Sequence, residues 1–250
     1  MGSFEVEVHL GVLLAPDEAA TRRVAAASSL QAVFLAPERS GAVRQQFMML
    51  VQALEPLLYD HVEAIRRQAP LIIGALGAAQ QPDLRSFCAW FLHAASISSG
   101  HQEPAPGGGM WPSMWSQLFV ALNQCLQLLL QKGVVAGILP FLPDILACMH
   151  RLLDAIEEPS LLSALIPLLS TLSRRELVPA LVPHFPAVTD VLLGWSLDPA
   201  SAPPVATLVN GYMRQGRHMW TASQSFGTSL LHNLVSDLES ICLTDPSQPE

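Results

Sequence analysis

Apolar residues return at steps of three and four along most of this chain, the spacing that lines one face of an α-helix. Val43, Phe47, Leu50, Leu54, Leu57 and Leu58 form one such stripe, and Val62, Ile65, Ala69, Ile72, Ile73 and Leu76 form a second. Leu84, Phe87, Cys88, Phe91, Leu92 and Ala95 form a third, with Asp83 placed to cap its free N–H groups. Met114, Leu118, Ala121, Leu122, Cys125, Leu126 and Leu129 follow, ending at Gly133. Ile145, Met149, Leu152, Leu153 and Ile156 form another stripe, then Leu161, Leu162, Leu165, Ile166, Leu169 and Leu172. Leu177 to Trp195 and Phe226 to Ile241 complete the set. Phe4 to Leu10 alternates apolar and polar residues, but too briefly to demand a sheet. The expected fold class is all-α.

Residues 99–110 interrupt the periodicity with three consecutive glycines and two prolines, which cannot propagate a helix. They divide the chain into helical repeats over 1–98, a flexible loop over 99–110 and helical repeats over 111–243. Residues 244–250 read as a linker or truncated tail. Short turns between helices suggest stacked antiparallel pairs. Leu54 to Asp60 followed by Val62 to Gly77 looks like one HEAT-type unit: a helix carrying Pro56, an Asp-containing turn, and a helix packing back. Pro140, Pro167 and Pro179 sit inside other apolar stretches, where a proline removes one hydrogen bond and kinks the axis. The architecture expected is therefore a HEAT- or armadillo-like α-solenoid of antiparallel helix pairs. The repeat period is poorly kept, so a single globular helical bundle stands as the alternative.

Composition narrows the function. Half of the 250 residues are hydrophobic and 14% are charged, too apolar for disorder. The net charge is −8, and the basic residues come in scattered pairs (Arg22-Arg23, Arg66-Arg67, Arg174-Arg175) beside the single lysine, Lys132. Direct binding of nucleic acid needs clustered cations, so it is not expected. The longest membrane-like run, Gly133 to Pro143, falls short of the roughly 20 residues a spanning helix needs. It is read as core, with its Gly133-x-x-x-Gly137 as a tight helix contact. Glu5 and Glu7 interrupt the apolar start and rule out a signal peptide, and Val6 stands where a myristoylation motif needs Ser or Thr. Cys88, Cys125, Cys148 and Cys242 lie far apart among apolar residues, which fits a reducing compartment, cytosol or nucleus.

No motif for catalysis, phosphate binding or zinc is present. Cys88 and His93 fall on different helix faces, as do Cys148 and His150, so neither pair forms a metal site. Glu157-Glu158 before Pro159 reads as a solvated turn. No catalytic residue, metal or cofactor is expected. Trp111 and Trp115 flank Pro112 at a helix start, where they pack against the preceding pair or, if exposed, make a protein-binding hot spot. Arg214, Arg217 and His218 form a small basic cluster beside Trp220, either a contact for an acidic partner or a solvated loop.

The most specific stretch begins Leu192-Leu193-Gly194-Trp195-Ser196-Leu197-Asp198 and continues as a ladder of Pro203, Val209, Gly211, Tyr212, Trp220, Phe226, Leu230, Leu231, Asp237 and Glu239. It resembles, spacing for spacing, a segment of the N-terminal helical solenoid in the phosphatidylinositol 3-kinase-related kinase family of nonsense-mediated mRNA decay. Ser196 and Tyr212 depart from that pattern, where the family carries His and Trp. The resemblance makes Gly194, Trp195, Asp198, Gly211, Trp220, Phe226, Leu230 and Leu231 structural anchors. It implies a non-catalytic arm ahead of a C-terminal kinase domain that phosphorylates an RNA helicase at Ser/Thr-Gln sites. The arm would dock the two regulatory subunits that restrain the kinase. A free-standing helical adaptor is the alternative, and a helical enzyme is a third reading that would need a concave site with convergent polar groups.

Overall fold

A computed structural model of the protein describes residues 2–36, 40–97, 114–155, 159–172, 174, 176 and 177. Every regular element among them is helical. In chain order these are α1 (Gly2–Leu14), α2 (Ala20–Leu35), α3 (Ser40–Gln45), α4 (Phe47–Leu54), α5 (Glu63–Ala78), α6 (Arg85–Ile97), α7 (Met114–Gln131), α8 (Leu142–Ala155) and α9 (Pro159–Leu172). The loop expected over 99–110, Trp111 and all positions beyond Leu177 lie outside the described residues.

Where their side chains are described, the apolar stripes read from the sequence lie mostly on buried faces. Leu50, Leu54, Ile65, Ile72, Ile73, Phe87, Leu118, Leu122, Ile145, Met149, Leu165 and Leu172 are all withdrawn from solvent in one continuous core. Burying a side chain of that size is worth about 1.5–3 kcal/mol. Phe4 to Leu10, the brief alternation, lies within α1.

Helix packing follows two rows. α1 packs on α2, α2 on α5, α5 on α7 and α7 on α9; on the other side α4 meets α6 and α6 meets α8. Contacts at the helix ends show direction. Gln117, in the first turn of α7, donates its Nε2–H to the Leu58 carbonyl at 2.7 Å, just ahead of α5. Arg23, in the first turn of α2, reaches Asp60, also just ahead of α5. The starts of α2, α5 and α7 therefore share one end. At the opposite end Arg44 Nη1–H donates to the Gln81 carbonyl at 2.6 Å, and Gly137 lies against the Pro82 carbonyl.

Small residues allow the closest approaches. A Cβ on Gly74 of α5 would stand 2.5 Å from the Ala121 carbonyl oxygen of α7. One on Gly77 would strike the Phe87 ring, which also meets Phe47 edge-on at 6.4 Å. Phe87 thus joins α4, α5 and α6.

Proline and glycine positions correct the sequence reading. Pro56 is not carried inside a helix: α4 ends at Leu54, and Pro56 opens a tighter 3₁₀ turn, Glu55–Tyr59. A residue without an N–H fits there because the first turn leaves that donor unpaired anyway. Pro140 likewise belongs to a short 3₁₀ turn, Leu139–Phe141, between α7 and α8. Pro167 does lie inside α9, and Pro70, which the pattern of stripes passed over, lies inside α5. Gly133 and Gly137 are not a helix–helix contact. Gly133 has φ +67°, and the N–H groups of Gly133 and Val134 donate to the Leu130 and Leu129 carbonyls at 3.0 Å each. That is a Schellman cap, which uses the left-handed conformation glycine adopts at least cost. The run after it supplies Ile138 and Leu142 to the core but leaves Val134 exposed, so it is only partly core.

Candidate functional site

The anchors Gly194, Trp195, Asp198, Gly211, Trp220, Phe226, Leu230 and Leu231 lie outside the described residues, as do Arg214, Arg217 and His218. Among the described residues the most developed polar arrangement is a junction that the sequence reading did not single out. Arg23 is 2% exposed and lies under the turn ahead of α5. Its Nε–H donates to the Leu13 carbonyl at the end of α1, at 2.9 Å. Its Nη1–H donates to Asp60 Oδ1 at 3.2 Å and its Nη2–H to Asp60 Oδ2, a two-pronged pairing. Asp60 Oδ1 also accepts the Val62 N–H at 2.8 Å, which fixes the entry into α5. Arg66, one turn inside α5, donates to the carbonyls of Asp60 and His61.

The electrostatics follow from that geometry. Burial works to raise the Asp60 carboxyl, but the hydrogen bonds from Arg23 and Val62 and the Arg23 charge outweigh it and hold it below the ordinary aspartate value. The ion pair spans three elements, since Leu13, Arg23 and Asp60 belong to the end of α1, to α2 and to the turn before α5. Asp60 was legible as a turn residue; its partner was not.

A second polar contact joins α7 to α9. Thr171, 6% exposed, donates its hydroxyl to Asn123 Oδ1 at 2.6 Å or to the Pro167 carbonyl at 3.0 Å. Asp83 does cap α6, accepting the Arg85 N–H at 3.1 Å.

Nothing in this arrangement activates a nucleophile. Cys88, Cys125 and Cys148 are buried thiols, none of them in a disulfide. Burial, with a smaller contribution from Asp83, pushes the Cys88 thiol up to about 12. Burial also drives Cys125 well above the usual range, with Cys88 adding to it. Reactive cysteines need the opposite shift. No group of three or more His, Cys, Asp or Glu stands ready for a metal among the described residues. No helix among them is long and apolar enough to cross a membrane. The surface arginines Arg22, Arg67 and Arg85 are each paired with a neighbouring carboxylate, Glu18, Glu63 and Asp83. Trp115 is buried and packs in the core, not on a docking surface.

Among the described residues some large apolar side chains are exposed. Phe4, Val8 and Leu14 on α1 are 71%, 45% and 37% exposed, and Met48, Met49 and Tyr59 are exposed around α4.

The chain is similar to a serine/threonine protein kinase. Serine/threonine-protein kinase SMG1 of zebrafish (Danio rerio) is 19% identical to it over 226 residues. The match takes in 87% of this chain and 6% of the kinase, so the chain spans a small part of that relative's length. A match that wide necessarily includes most of residues 1–110, not only the ladder after Val188. No family model matches the chain, and no solved structure does.

Proposed function

We propose that this chain is a non-catalytic scaffold segment of a serine/threonine protein kinase acting in nonsense-mediated mRNA decay, and that it docks regulatory protein subunits. The observation that carries the proposal is the similarity to the zebrafish kinase along 87% of a chain whose regular elements, among the described residues, are all helical. In this reading the two rows of helices are the two layers of an α-solenoid of antiparallel pairs. Such arrays grow by neighbour contacts that bury a continuous core, which suits the packing of each row helix on the next. The helical repeats over 1–98 and 111–243 form one arm, and Gly194, Trp195, Asp198, Gly211, Trp220, Phe226, Leu230 and Leu231 anchor its later helices. Buried reduced thiols support a cytoplasmic setting, or a nuclear one. The partners are proteins, with no direct contact to nucleic acid or membrane.

The test is capture of partners by the full 250-residue chain from a cytoplasmic extract, with mass spectrometry of what is retained. Retention of the regulatory subunits of the decay kinase supports the reading. Their absence, together with retention of an unrelated cargo set, replaces it with a free-standing helical adaptor.

A further inference from the structure

We draw no further inference here: the strongest candidate, the surface patch of Met48 and Met49 on α4 with Tyr59 in the turn that follows it, is an exposed apolar face, and nothing in the structure shows what covers it.

Discussion

Replacing Asp60 by Asn tests the buried junction most sharply. The amide keeps the size of the carboxyl group and can still accept the Val62 N–H, so the turn into α5 retains its local bond. What disappears is the negative charge opposite Arg23. That guanidinium is 2% exposed, and among the described residues it donates to the Leu13 carbonyl and the Asp60 side chain. Removing one partner of a buried pair leaves an uncompensated charge, which costs about 3–5 kcal/mol. Asp60 sits at the edge of the junction, with its side chain 8% exposed, so the low end, about 3 kcal/mol, is expected. Arg23→Met combined with Asp60→Asn removes both charges and should recover most of that loss. The assay is urea unfolding followed by circular dichroism at 222 nm for the two single variants, the double variant and the unaltered chain. A loss below about 1 kcal/mol in Asp60→Asn would refute the reasoning, as would strict additivity in the double variant. The pH dependence gives an independent reading. Asp60 is depressed in the folded state, so its contribution is complete above the ordinary aspartate value and is lost as pH falls through its lower folded value. Acid unfolding of the unaltered chain should therefore show a component below about pH 4 that Asp60→Asn lacks.

Other outcomes follow from the packing. Gly74→Val should destabilise by about 2 kcal/mol or more, because its side chain meets the Ala121 backbone, whereas Gly11→Ala should stabilise by about 0.5–1 kcal/mol. Thermal melts of the two variants should move in opposite directions. Phe87→Ala removes the ring shared by α4, α5 and α6 and should cost about 3–5 kcal/mol in urea unfolding. Gly133→Ala forces a side chain into φ +67° and should cost about 1 kcal/mol by the same assay. Cys88 and Cys125 should resist thiol labelling at pH 8 by at least about a hundredfold relative to the unfolded chain. Site-resolved mass spectrometry checks this, and rapid native labelling of either residue would contradict their burial.

The helices from α4 to α9 were legible because each carries its own periodicity, whereas α1 and α2 lie ahead of the first stripe read, which starts at Val43. The stripe from Leu84 to Ala95 needs no distant information to be recognised, and it is buried as its spacing requires. The capping Asp83 was legible for the same local reason. Arg23 was not, because its burial depends on a carboxylate 37 residues away, and Arg22 beside it stays in solvent, paired with Glu18. Prolines misled in both directions. Pro56 and Pro140 looked internal to helices and instead open 3₁₀ turns, while Pro70 is tolerated inside α5 by the packing around it. Gly133 and Gly137 share a familiar spacing, yet one is a cap and the other a close approach to Pro82. Spacing alone cannot separate those uses. The ladder from Leu192 to Glu239 pointed to a family by its pattern. The match to the zebrafish kinase extends that likeness across most of the chain without supplying contacts for Trp195 or Trp220.

The most direct measurement is the size of the native polypeptide, by immunoblot with an antibody raised against residues 188–240. As part of a decay-kinase scaffold, the epitope should lie on a polypeptide far larger than 27.0 kDa. A native band at 27.0 kDa would contradict the account and leave a free-standing helical adaptor with shared ancestry.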